Sequence, residues 1–149
     1  MEGHTYRRIP RDVQVTMRIL VCGGNVATAK SYPFWDQFMK LAKDHEIRKI
    51  EGILPLDEIM GLIQWADAVI SIDSFIPHLI RFHKIDKPVV VIWGTSHPAV
   101  FGYTDHVNLL KDPKYLRPDP FLWWRDEPNN PDAFVAPEVI IETLKKFGG

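Results

Sequence analysis

The apolar positions of this chain fall into short solid runs separated by stretches with a helical period. The first run, Met17-Arg18-Ile19-Leu20-Val21-Cys22, is stopped by Gly23-Gly24. An apolar run of that length ended by glycine predicts a buried strand followed by a loop. Pro33 opens a helix that carries Phe34, Trp35, Phe38, Leu41 and Ala42 on one face. Glu46 to Glu51 reads as a short strand closed by Gly52. A second amphipathic helix turns Leu56, Ile59, Leu62, Ile63 and Ala66 inward, and Asp57 and Glu58 suit its positive end. Ala68 to Ile72 predicts a strand, Ser74 to Lys84 a helix, and His106 to Leu110 a last, shorter strand. Pro88 to Trp93 is apolar throughout, as a strand covered on both faces must be.

Strands alternating with helices across short links predict an α/β fold: one Rossmann-like three-layer domain with a parallel sheet of about five strands. Right-handed crossovers then give the strand order 2-1-3-4-5. The domain spans 17–149, and residues 1–16 form an arm or linker without periodicity. From 111 to 136 the character changes, because six of the twelve prolines fall between Lys111 and Pro137, together with Trp123 and Trp124. That stretch is too aromatic for a disordered tail and reads as an irregular strap across the sheet. A closing helix over 137–147 carries Val139, Ile140, Leu144 and Phe147.

Composition narrows the function classes. Of 149 residues, 46% are hydrophobic and 25% charged, and the net charge of −1 lacks the basic footprint of a nucleic-acid binder. The single Cys22 excludes an intrachain disulfide and a cysteine-based zinc site, and it fits a reducing, cytoplasmic setting. No apolar run approaches the ~20 residues of a membrane span, and residues 1–16 do not have the pattern of a secretory signal.

Candidate chemistry lies at strand ends, where open parallel sheets bind ligands. One end carries Gly23 and Gly24, followed by Lys30. A second carries Asp73 and Ser74, with His78 one helical turn further on. The third carries Gly94, Thr95 and Ser96. Glycines and small hydroxyls there let backbone N–H groups approach a phosphate, and a lysine adds a point charge. A nucleoside diphosphate satisfies all three loops, whereas no G-x-G-x-x-G fingerprint for NAD is present. Plainer roles fit each feature as well: Gly-Gly as a turn, Lys30 as a solvated surface residue, Ser74 as a helix cap, His78 as a structural histidine. No spacing of the histidines argues for a metal.

The order of these pieces resembles glycosyltransferase family 9, the ADP-heptose:lipopolysaccharide heptosyltransferases. The similarity is carried by the segment from Leu54 through Trp65-Ala66-Asp67-Ala68 to Asp73-Ser74-Phe75-Ile76-Pro77-His78, then by Lys87-Pro88-Val89-Val90-Val91-Ile92-Trp93-Gly94. The family shows Ala-Asp/Gly-Ala before a strand, then Asp-Ser/Thr-Gly-x-x-His, then Pro-Val-Val. Its donor-phosphate lysine before Trp-Pro is echoed by Lys30-Ser31-Tyr32-Pro33. Three departures stand out. Phe75 replaces the family's glycine, His97 stands where it has aspartate, and the chain is shorter by about one strand and helix before Leu54.

The resemblance implies the C-terminal, donor-binding half of a GT-B glycosyltransferase. Lys30 would neutralise the diphosphate, Ser74 would bind phosphate, and His78 would sit close by. Asp73, repulsive to a diphosphate, would instead accept backbone N–H bonds and fix its loop; Thr95 and Ser96 would add phosphate donors. No cofactor is implied, the catalytic residues stay unknown, and the acceptor half with its catalytic base would come from a partner chain or a second copy. Two other readings stay open: a non-catalytic nucleotide-binding or structural module that kept the fold, and a Rossmann-like module of another kind.

Overall fold

A computed structural model describes residues 16–23, 28–121 and 127–147. The arm up to residue 15, Gly24, and the tryptophan pair Trp123 and Trp124 lie outside the described residues. Five strands form one sheet: β1 (Arg18–Cys22), β2 (Glu46–Ile50), β3 (Ala68–Ile72), β4 (Val89–Trp93) and β5 (Val107–Leu110). Every pairing is parallel, and the order is β2-β1-β3-β4-β5, the one that the alternating pattern predicts.

The period-2 alternation of each strand sorts its side chains into two cores. Ile19 and Val21 of β1, Ile70 and Ile72 of β3, and Val90 and Ile92 of β4 face α1 (Trp35–Leu41) and α5 (Pro137–Phe147), together with Phe134 from the strap. Leu20, Val69, Val89 and Val91 face α2 (Leu56–Trp65) and α3 (Phe75–Phe82). All five positions of β3 and of β4 are buried, as the unbroken apolar run at Pro88 to Trp93 requires. The polar exception is Ser71, fully buried, whose hydroxyl donates to the Ile72 carbonyl at 2.8 Å.

Helix faces are narrower than their sequence patterns. Phe38 and Ala42 are buried, but Leu41, expected on the same face, is 42% exposed. In α2, Ile59, Ile63 and Ala66 point inward, while Leu56 sits in the first turn, 56% exposed, ahead of the part that crosses the sheet. Lys87 closes the other end of α2 by donating its ammonium to the carbonyls of Gln64 and Ala66.

One element has no counterpart in the pattern: the single turn α4 (Pro98–Phe101), too short for a helical period to show. The strap is pinned from several sides. Tyr32 donates to the Val135 carbonyl at 2.8 Å, Asn129 to that of Ser31 at 2.7 Å, and Lys111 to that of Asp132 at 3.0 Å.

Candidate functional site

β1 and β3 are neighbours in the sheet, yet the chain leaves them toward opposite faces, to α1 and to α3. Their carboxyl ends therefore diverge and open a crevice, the position at which doubly wound sheets bind ligands. Its volume is about 620 Å3, and Gly23, Trp35, Ile50, Glu51, Ser74 and Phe75 are among the residues lining it.

Gly23 serves the crevice wall. A Cβ there would lie 2.5 Å from Trp35 Nε1, so only glycine lets the indole close against the end of β1. The Trp35 ring is held edge-on by Tyr32, with centroids 4.9 Å apart, and by Phe38 at 5.8 Å. Its Nε1 is buried and has no hydrogen-bond partner among the described residues. Cys22, at the end of β1, is buried, which pushes its thiol pKa up to about 12 and keeps it protonated.

Lys30 ends a short 3-10 turn (Thr28–Lys30) and reaches across to β3, where its ammonium lies 3.1 Å from Asp73 Oδ2. The lysine side chain is 20% exposed and the carboxylate 10%, so this is a largely desolvated pair rather than a surface lysine. The repulsion that Asp73 would present to a diphosphate is met by this ion pair. Ser74 follows at the N-cap position of α3, but its hydroxyl caps no backbone N–H. It lies 3.2 Å from Ser71 Oγ; because Ser71 donates to Ile72, the Ser74 hydroxyl is the donor of this contact.

The remaining sequence candidates are drawn elsewhere. His78 is exposed, and its Nδ1 lies 2.6 Å from the Tyr103 hydroxyl, with the two rings in edge contact at 5.3 Å. Gly94 is not an open phosphate cradle. A Cβ on it would stand 2.5 Å from Phe134 Cζ, so the residue is small because the strap's phenyl ring fills the space above β4. Ser96 accepts from Arg117 Nη1 at 3.0 Å, and the Arg117 N–H donates to the Thr95 carbonyl at 2.9 Å. Arg117 is buried and also pairs through Nε with Glu127 at 3.1 Å. His97 Nε2 donates to the Arg117 carbonyl at 2.6 Å. A cleft of about 440 Å3 beside Thr95 is lined by Arg117 together with Asp119 and Glu127.

Glu51 and Trp35 at the crevice, and Arg117 beyond β4, carry no flag in the sequence. Glu51 was legible in principle, since an acidic residue at the end of a second Rossmann strand is a ribose signal. Arg117 was not, because nothing in a proline-rich strap says which loop it covers. Among the described residues no group of three or more His, Cys, Asp or Glu is placed to hold a metal ion, and no helix is long and apolar enough to cross a membrane.

The chain has a glycosyltransferase-like, Rossmann-like α/β fold. One similar solved structure is the bacterial iron-containing dodecameric glycosyltransferase TibC from enterotoxigenic E. coli H10407. It matches over 93% of this chain and 46% of its own, with a TM-score of 0.66 and 19% identity. The dodecameric iron-containing heptosyltransferase TibC in complex with ADP-D-beta-D-heptose matches over 86% and 37%, with a TM-score of 0.53 and 18% identity. This chain therefore spans less than half the length of either. No protein-family model and no curated protein matches it.

Proposed function

We propose that the chain binds a nucleoside-diphosphate sugar, of the ADP-heptose kind, in the crevice between β1 and β3. Glycosyl transfer would then need an acceptor domain from a partner chain or a second copy. The observation that carries this reading is the desolvated Lys30–Asp73 pair beside Ser74, one residue from the crevice wall. An ammonium paired with a carboxylate can turn to a diphosphate of higher charge. Glu51, at the end of β2, supplies the acceptor that a ribose diol needs. The TibC structure that holds ADP-D-beta-D-heptose shares the fold and supports the ligand class. A lone buried thiol and a nucleotide-sugar ligand agree with the cytoplasm as the place of action.

Calorimetry with ADP, UDP, GDP and NAD tests the proposal. A diphosphate should bind and NAD should not. At a concentration 100 times its Kd, the diphosphate should stabilise the fold by about 2.7 kcal/mol, roughly 5–10 °C in Tm. No heat from any diphosphate at millimolar concentration favours the second reading, a structural module that kept the fold. Phe75, in place of the glycine that would let a phosphate approach the start of α3, is the observation on that side.

A further inference from the structure

We propose that Phe75 is a stacking platform for the ligand's heterocycle, so that the crevice takes the nucleobase between Phe75 and Ile53; this rests on the nucleotide reading above and adds the residue that reads the base.

The crevice carries both charged and apolar side chains. Ser74 lines it with the Lys30–Asp73 pair beside it. On the β2 side Lys49 and Glu51 alternate with Ile50 and Ile53, and Phe75 and Ile76 line it from the first turn of α3. Phe75 is 56% exposed and Ile53 is fully exposed, and both line the same opening. Gly52, at a φ of 70°, makes the left-handed turn that carries Ile53 beyond the end of β2. Two large apolar groups left in water around one crevice, with a charge-bearing section next to it, match a ligand that is flat and apolar at one end and anionic at the other. Phe75 has no aromatic partner among the described residues, so its face is available for one.

The placement also accounts for the departure at this position. A phenyl group on the first residue of α3 stands in the way of a phosphate docking on the helix start, and it moves the anionic end of the ligand toward Lys30. The ring thus trades a backbone phosphate contact for a base contact. Every heterocycle offers a π-face, so stacking alone discriminates weakly among bases, and ADP and UDP should both respond.

Phe75→Ala, Phe75→Leu and Phe75→Trp, titrated by calorimetry with ADP, UDP, ADP-glucose and inorganic pyrophosphate, test the assignment. Phe75→Ala should weaken ADP and UDP by roughly 5- to 150-fold, the range for a lost base stack. ADP-glucose should weaken by the same factor as ADP, and pyrophosphate should stay within about twofold because it carries no ring to stack. Phe75→Leu keeps apolar bulk without the π-face and should fall between, while Phe75→Trp should restore wild-type affinity. Melting temperatures should match the wild type, since more than half of the ring is exposed. Unchanged ADP affinity in Phe75→Ala, equal losses for pyrophosphate and ADP, or a loss confined to ADP-glucose would each overturn the stacking role while leaving nucleotide binding intact. A wild type that binds pyrophosphate but not ADP would overturn it too. Binding of none of the four by the wild type would remove the nucleotide reading and the platform together.

Discussion

At the carboxyl ends of β1 and β3 the chain leaves a crevice of about 620 Å3, whereas at the end of β4, one strand further along, the strap closes over the loop. Both places carry the same sequence signature, a strand stopped by glycine and followed by small polar residues. Their glycines admit an aromatic ring in each case, Trp35 against Gly23 and Phe134 against Gly94. The difference lies in what else arrives. Beyond β4, Arg117 and Phe134 of the strap occupy the hydroxyl and the space that a phosphate would use. Beyond β1 the ring forms a wall, and the charged pair Lys30–Asp73 stands beside an opening. The same sequence signature thus leaves Ser74 on an open crevice and ties Ser96 to the strap.

The sharpest break in that comparison is Arg117→Ala. It removes a buried guanidinium that binds Ser96 and Glu127. Loss of one member of such a pair costs about 3 kcal/mol, the low end of the range because Glu127 keeps 24% exposure and some water. Urea unfolding measures it. A change below about 0.5 kcal/mol, the size of an ordinary surface substitution, would mean that the strap is not held there. Next in size is Gly94→Ala, whose Cβ enters the fully buried Phe134 ring and should cost about 2–3 kcal/mol by overpacking. Gly23→Ala meets Trp35, which is only part-buried beside open space and can shift, and should cost about 1 kcal/mol. Equal costs at the two glycines would erase the distinction between a sealed end and an open one.

These numbers also show how far the sequence reads. The central strands β3 and β4 were legible because burial on both faces forces solid apolar runs, as in Val89 to Trp93, and the order followed from crossover handedness. Ser74 and Gly23 at the crevice were legible for the same reason, since strand ends fix where such residues sit. The surroundings of Thr95 and Ser96 were not legible, because they are set by a strap more than twenty residues away whose path has no periodicity. Lys30 was legible as a cation but not as one half of a desolvated pair. Its partner Asp73 is 43 positions along the chain, and only the adjacency of β1 and β3 brings them together.

Lys30→Ala sharpens the open side. If the ammonium meets the diphosphate, the change should weaken ADP by about 10- to 150-fold, the value of one charge-assisted hydrogen bond. The pair predicts a second effect that a solvated lysine would not show. Removing the cation from beside a carboxylate only 10% exposed should also cost about 1–2 kcal/mol of stability. A double-mutant cycle with Asp73→Asn isolates that coupling. Lost affinity with zero coupling would mean that Lys30 serves the ligand alone, and coupling with unchanged affinity would place the phosphates elsewhere.

The smallest effect concerns pH and belongs to groups away from the crevice. His106 is buried beside Tyr103 with Nδ1 unpartnered among the described residues, and burial lowers its pKa; Asp105 opposes the shift, while Arg81 and His78 add to it. His45 is lowered by burial as well, with Asp44 opposing, and its Nδ1 accepts from the Met17 N–H at 3.0 Å, a bond only the unprotonated nitrogen can make. For both, the unfolded chain takes up a proton first as pH falls. Their contribution is therefore complete above the ordinary histidine value of 6.5 and is lost as pH drops through it toward the lower folded values. Melting curves should shift down between pH 7.5 and 5.5, and His45→Asn should remove part of the shift along with some stability. A midpoint that rises on acidification would mean that one of these histidines is held protonated in the fold, against its burial.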